Sequence, residues 1–127
     1  MRSKKIVIPG KPKGKGRTPE ETVDYEAQIR AAWFKQADGW CVREGGVGVI
    51  VMAYFPIPKT ASKERKSGMA SGRLPPLVKP GGENILRVVL DALNGHAWVD
   101  NKQVVDAGVQ KLYAEEPRVE VVLYDVG

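Results

Sequence analysis

Three charged side chains share one narrow face of a predicted helix over residues 84–94, whose other positions are mostly apolar. Glu83 stands at the start of this helix, and Arg87 and Asp91 follow at i+4 and i+8. Charges on a largely buried helix need opposite charges, or a ligand such as a metal ion or a phosphate. The stripe therefore predicts either a ladder of salt bridges on a solvated face or a binding site, and both alternatives stay open at this point.

A further carboxylate, that of Asp100, can return to the same helix. It lies five positions beyond Gly95, which is placed to end the helix, and extended backbone covers about 3.3 Å per residue. Because a helix rises only about 1.5 Å per residue, we expect Asp100 beside Asp91 or nearer Glu83. Three clustered carboxylates are the hard oxygen ligands that Mg²⁺ prefers. Mg²⁺ at such a site can polarise a phosphodiester and generate the attacking hydroxide.

The formal net charge of +5 is unevenly distributed along the chain. Residues 1–17 contain seven basic and no acidic residues, and residues 56–79 contain six basic residues and one acidic residue. Their Gly, Pro and Ser content predicts two basic loops, at residues 10–17 and 56–80. Basic loops on an acidic body are typical of proteins that bind nucleic acid, although loops that only aid solubility and a basic RNA-binding accessory protein are alternatives. The candidate phosphate contacts are Lys11, Lys13, Lys15, Arg17, Lys63, Arg65 and Lys66.

The hydrophobic pattern predicts an α/β fold in the order strand–helix–strand–helix–strand–strand, with two helices packed on a small mixed sheet. Thr18, Pro19 and Glu21 predict the start of the first helix, with Thr22 as an alternative start. The run over residues 46–55 is almost continuously apolar, which predicts a strand buried on both faces. The predicted strands cover residues 4–8, 46–55, 104–113 and 118–124.

Length and composition narrow the class of protein. The 127 residues suit a single domain, 1–127, and the one cysteine, Cys41, allows no intramolecular disulfide. No apolar run approaches the roughly 20 residues that a membrane span needs, and no signal-peptide pattern follows the basic N-terminus. The run Lys13-Gly14-Lys15-Gly16 lacks the length and the Ser/Thr of a nucleotide-binding phosphate loop. We therefore expect a cytoplasmic protein that uses neither a membrane nor a nucleotide cofactor.

Three blocks of the sequence resemble, in order and spacing, the signature of the RusA family of Holliday junction resolvases. The blocks are Lys79-Pro80-Gly81-Gly82-Glu83-Asn84-Ile85, Asp91-Ala92-Leu93-Asn94-Gly95 and Trp98-Val99-Asp100-Asn101-Lys102-Gln103-Val104. The similarity covers nearly the whole chain, and it adds Lys79 and Lys111 to the candidate DNA contacts. The resemblance implies a RusA-like fold and a homodimer that binds four-way DNA junctions. It also implies symmetric, Mg²⁺-dependent nicking of two strands, in DNA recombination and repair.

The chain departs from the family pattern at the three metal-binding acids, which are here Gly81, Glu83 and Asn101. Arg87 replaces a helical Lys that looks like a phosphate-orienting group in the family, whereas Asp91 and Asp100 are unchanged. The first hypothesis is an active endonuclease with a variant metal site, whose ligands are Glu83, Asp91, Asp100 and the neutral Asn101. The second is a protein of the same fold that binds branched DNA without cleaving it. Two lost negative charges and a longer acid at position 83 weaken an octahedral Mg²⁺ site.

Overall fold

The computed structural model describes residues 2–127, which form four strands, three α-helices and one short 3-10 helix. In chain order these are β1 (Ser3–Pro9), α1 (Pro19–Gln36), β2 (Val47–Pro56), α2 (Lys63–Ser71), α3 (Gly82–Leu93), the 3-10 helix (Asn101–Gln103), β3 (Val104–Ala114) and β4 (Arg118–Asp125). The four predicted strands and the two predicted helices all lie within about two residues of their observed bounds. The predicted α/β fold is therefore confirmed.

The strands form one mixed sheet in the order β1-β4-β2-β3. Strand β4 is antiparallel to β1 and β2, whereas β2 and β3 are parallel. Parallel neighbours need a crossover connection, and here α2 and α3 lie between β2 and β3 in the chain. Only residues 115–117 join β3 to β4, yet the two strands are not paired because β2 lies between them. Strand β2 is thus central, and its Val51 pairs with Val109 on one side and Val121 on the other.

Helices α1 and α3 pack against each other and against one face of the sheet. The side chains buried on this face alternate along each strand, as the two-residue period of a strand requires. In β2 and β4 they are Val49, Val51, Ala53, Phe55, Val119, Val121 and Leu123. Helix α1 buries one apolar stripe against the sheet, which consists of Tyr25, Ile29, Ala32 and Trp33. None of the helices in residues 2–127 has the length and apolarity needed to cross a membrane.

The start of α1 follows the first of the two predicted alternatives. The Thr18 hydroxyl oxygen accepts a hydrogen bond from the Glu21 amide at 3.3 Å, and Pro19 is the first helical residue. The Glu21 carboxylate in turn accepts from the Arg17 amide at 2.7 Å, one residue before the N-cap. This second hydrogen bond connects Arg17, the last residue of the basic loop, to the first turn of α1.

The segment predicted as a basic loop over residues 56–80 contains a helix, so this prediction is wrong for α2. The Ser62 hydroxyl accepts a hydrogen bond from the Arg65 amide at 3.2 Å and caps the helix. Gly72, with φ of 85°, ends it in the left-handed conformation that glycine adopts without strain. Met69 is buried and anchors the helix. A single large apolar residue in a basic helix produces too weak a periodic pattern to predict the helix.

The expectation that β2 is buried on both sides is wrong for the second face of the sheet, which is the face opposite α1 and α3. The alternate β2 side chains Ile50, Met52 and Tyr54 are only half-buried.

Glu120, beside them on β4, is 8% exposed and accepts from Arg118 at 2.7 Å and from Lys5 at 3.0 Å. Burial raises the pKa of Glu120, but the hydrogen bonds from Arg118 and Lys5 outweigh it, so the pKa lies below its usual value.

We predict that the Glu120 carboxylate stabilises the fold above pH 4.3 or so, the ordinary glutamate pKa, and that this contribution is lost as the pH falls. The sign follows from the lowered pKa of the folded state, because the unfolded chain binds the proton first. Glu120→Gln should lower the free energy of unfolding at pH 7 by about 1–3 kcal/mol and flatten the loss of stability below pH 5 or so. Urea unfolding across this pH range measures both effects. An equal change in exposed Glu116→Gln would contradict the prediction.

Candidate functional site

Helix α3 places its three charged residues on the side away from the core. Its buried side chains are Ile85, Val88, Val89, Ala92 and Leu93, which leaves Glu83, Arg87 and Asp91 exposed. The Arg87 guanidinium lies 3.2 Å from a Glu83 carboxylate oxygen, and these side chains are 59% and 87% exposed. The first rung of the predicted salt-bridge ladder is therefore present. In this solvated i,i+4 geometry it is worth only a few tenths of a kcal/mol, roughly.

Asp91 is paired with the basic loop at residues 10–17. Its carboxylate lies 3.2 Å from the Lys15 ammonium, and the Lys15 amide donates to the Asn84 side-chain oxygen at 3.3 Å. Gly14 allows this approach, because a Cβ at that position would lie 2.4 Å from the Asn84 amide nitrogen. Two contacts about two turns apart along α3 therefore hold the loop on the exposed side of the helix.

Asp100 and Asn101 are used by the local structure of the turn before β3. The Asp100 carboxylate accepts from the Lys102 amide at 2.9 Å, and the Gln103 side chain accepts from the Asp100 amide at 3.0 Å. This reciprocal pair is a capping box on the 3-10 helix. The Asn101 side-chain oxygen accepts from the indole of fully buried Trp98 at 2.8 Å. Both side-chain oxygens therefore already serve as acceptors within the chain.

A groove of about 250 Å³ lies between α3 and the start of β3. Its polar lining residues are Glu83, Arg87, Asp91 and Asn101, and its apolar lining residues are Leu86, Leu90 and Val104. Asp100, which we expected beside Asp91 or nearer Glu83, is not among the lining residues. Within residues 2–127, no three acidic, histidine or cysteine side chains converge closely enough to hold a metal ion. The expected cluster of three carboxylates is therefore not formed, because Asp100 caps the 3-10 helix instead.

A second, larger cleft of about 680 Å³ lies between the basic loop, the start of α1 and the start of α3. Five of the candidate phosphate contacts line it, namely Lys11, Lys13, Lys15, Arg17 and Lys79. Glu21 and Asp24 are its acidic lining residues. In residues 2–127 only Lys15 of the five forms a salt bridge, so the bases of the cleft outnumber its acids and four of them are unpaired. We call this concavity the basic cleft.

The remaining candidate DNA contacts lie elsewhere. Lys63, Arg65 and Lys66 are on α2, with Lys63 and Arg65 exposed and Lys66 half-buried. The Lys111 ammonium donates to the Val78 carbonyl oxygen at 2.5 Å and lies 5.1 Å from the centre of the Phe55 ring. Lys111 therefore supports the loop before α3, and its contact with DNA stays a prediction.

Comparison with known proteins identifies the family of this chain. A family model described as Endodeoxyribonuclease RusA matches residues 9–124. The chain belongs to the RusA endodeoxyribonuclease family. It is also 35% identical over 130 residues to the "Uncharacterized protein YqaN" of Bacillus subtilis (strain 168), across 94% of this chain and 90% of that protein. The resemblance inferred from the three sequence blocks is therefore confirmed, and RusA membership implies a nuclease of the Holliday junction resolvase type.

The residues at the RusA metal positions do not fit Mg²⁺ here. Gly81 has no side chain, Glu83 is paired with Arg87, and the Asn101 oxygen accepts from Trp98. Asp91, the other acid in the groove, is paired with Lys15. Mg²⁺ prefers carboxylate and other hard oxygens in near-octahedral geometry. Of the three family positions only Glu83 carries an acid here, and both carboxylates of the groove lie beside a cation of the chain.

Two residues that position the site were absent from the sequence-based candidates. Asn84 orients the basic loop through its side-chain oxygen, and Gln103 completes the cap at Asp100 and also donates to the Val42 carbonyl oxygen at 3.0 Å. The Gln103 role has a recognisable signal, because Asp100-x-x-Gln103 matches the spacing of a capping box. The Asn84 contact spans 69 residues, so no local pattern predicts it.

We predict that Asp100 acts as a cap rather than as a metal ligand. Asp100→Ala should lower the free energy of unfolding by about 1 kcal/mol, whereas Asp100→Asn should retain most of the stability because asparagine caps as well as aspartate. Urea unfolding with and without Mg²⁺ is the measurement. Stabilisation of the native chain by Mg²⁺ that is lost in Asp100→Asn would contradict the assignment.

Proposed function

We propose that this RusA-family protein binds four-way or other branched DNA through its basic cleft and does not hydrolyse the phosphodiester. The carrying observation is that positions 81 and 101 supply no acid, so that within residues 2–127 no three acidic, histidine or cysteine side chains converge on the groove. The second candidate is a Mg²⁺-dependent Holliday junction resolvase, which family membership favours. The two candidates share the DNA substrate and differ only in the chemical step.

The basic cleft supports the DNA part of the proposal. Its four bases that form no salt bridge come from two separate segments, the loop at residues 10–17 and the segment before α3. Lysine and arginine side chains bind phosphates through charge and release condensed counterions, so such binding weakens as salt increases. The cleft lies beside the groove, because Asn84 lines the former and the neighbouring Glu83 lines the latter. Bound DNA would therefore place a phosphate near the RusA catalytic position.

The groove supports the non-hydrolytic part. Arg87 and Lys15 supply two positive charges against the two negative charges of Glu83 and Asp91. A metal ion would compete with these cations for the two carboxylates, and it would find no acid at position 81 or at position 101. In contrast, a phosphate meets no net negative charge there and needs no metal ion to offset repulsion.

The decisive experiment compares binding and cleavage of a labelled four-way junction and of a linear duplex with the same arm sequence. We predict that the native chain binds the junction equally in Mg²⁺ and in EDTA, and that neither DNA is nicked. Lys79→Ala should weaken junction binding and reduce the slope of log affinity against log salt by about 0.9. Lys35→Ala, which removes the same charge from the exposed side of α1, is the matched control. An equal loss of junction affinity in Lys35→Ala would refute the assignment of the basic cleft as the DNA-binding surface.

Symmetric, Mg²⁺-dependent nicking by the native chain would overturn the non-hydrolytic part and establish the resolvase. The complementary variant is Gly81→Asp combined with Glu83→Asp and Asn101→Asp. It fits the fold, because a Cβ at Gly81 meets no atom within 4 Å and aspartate is a good N-cap for α3. We expect this variant to bind the junction as the native chain does and to gain Mg²⁺-dependent nicking.

We also propose that two copies associate through the second face of the sheet. Its apolar side chains are half-buried, and they include Ile50, Met52, Tyr54, Leu112 and Val122. Parallel strand pairs such as β2 and β3 are normally covered on both faces, and twofold dimers are the commonest oligomers. A twofold pair would also match the symmetry of a four-way junction.

The dimer proposal predicts that Ile50→Glu shifts the protein from dimer to monomer, because a desolvated carboxylate without a partner opposes association. Sedimentation velocity at micromolar concentration measures the shift. Val105→Glu introduces the same charge at a side chain that is 62% exposed and so is the matched control. A native chain that sediments as a monomer would contradict the proposal.

A further inference from the structure

Leu77 is the most exposed of the large apolar side chains in residues 2–127, with 91% of its surface accessible. It lies in the segment between α2 and α3, and the next residue, Val78, is 49% exposed. Apolar surface in water is unfavourable, and an isolated side chain this exposed gains nothing from the fold itself.

The segment that carries Leu77 is braced on both sides. The Leu74 amide donates to the Gly68 carbonyl oxygen at 3.0 Å, which ties the segment to the end of α2. Pro76, immediately before Leu77, is buried, and the Val78 carbonyl oxygen accepts from Lys111. Proline also restricts the backbone. The exposed leucine is thus presented by a supported backbone.

Basic residues flank the apolar tip. Arg65 of α2 lines the same small groove as Leu77, and Lys79, two residues further along, lines the basic cleft. Proteins that bend or open DNA use this combination, in which basic side chains hold phosphates and an apolar side chain such as leucine enters between base steps. A branch point favours such entry, because unstacking requires least energy where base stacking is already interrupted.

We propose that Leu77 inserts as an apolar wedge between bases at the branch point of bound DNA. The proposal rests on the function proposed above and adds the part of the substrate that this residue contacts. Leu77 neutralises no phosphate, so its contribution is independent of salt, unlike that of Lys79. The wedge would select branched over linear DNA.

The test uses four-way junctions carrying 2-aminopurine either at the branch point or in the middle of one arm. With the native chain, we expect fluorescence to rise only for the branch-point reporter, because the base there loses its stacking. Leu77→Ala should abolish this rise and weaken junction affinity about tenfold, with an unchanged salt slope. Phe34→Ala, at a 68% exposed side chain on α1, is the matched control and should behave as the native chain does.

The outcomes separate this proposal from the one on which it rests. Junction binding without a rise in branch-point fluorescence, or a rise that persists in Leu77→Ala, would overturn the wedge and leave DNA binding intact. Failure of the native chain to bind either DNA would overturn both. A change in sedimentation of Leu77→Ala without DNA would assign the side chain to contact with a second copy instead, and would also overturn the wedge.

Discussion

The burial of α3 is the constraint on which the rest of the site depends. Five of its twelve residues are packed against the sheet and α1, so the helix has one orientation and its charged residues must lie on the opposite side. That side then receives the basic loop through Lys15 and Asn84. The burial of the apolar side chains of α3 therefore sets where Glu83, Arg87 and Asp91 lie and which side of the helix the basic loop contacts.

The groove differs from a metal site in the source of its positive charge, which comes from lysine and arginine side chains of the chain. In a metal-dependent nuclease, the cation offsets repulsion between acidic ligands and an incoming phosphate. Here Arg87 and Lys15 already offset Glu83 and Asp91, and Gly81 and Asn101 add no charge. The same surface that lacks a free ligand set for Mg²⁺ is therefore one that a phosphate can approach without Mg²⁺. The proposed loss of the metal site and the proposed retention of DNA binding are therefore electrostatically compatible.

The sequence predicts those features that local patterns encode. Thr18 with Pro19 marks the start of α1, alternating apolar residues mark the strands, and the three family blocks locate the groove. It fails where a competing local interaction decides. The length of the connecting chain allowed Asp100 to reach Asp91 or Glu83, but its carboxylate instead accepts a hydrogen bond from the nearby Lys102 amide. Helix α2 was not predicted because most of its residues are charged or small. The pairing of Lys15 with Asp91 spans 76 positions and depends on the tertiary fold.

The positions at which this chain departs from the RusA pattern carry little of the fold's stability. A side chain at Gly81 would meet open space, and Glu83 is 87% exposed. Asn101 keeps the one contact that the turn needs, since its oxygen accepts from Trp98 as an aspartate oxygen would. Substitution at these sites therefore removes ligands without disturbing the packing of α3 or the basic cleft. Acids at exposed positions of this kind can therefore be replaced without altering the basic cleft.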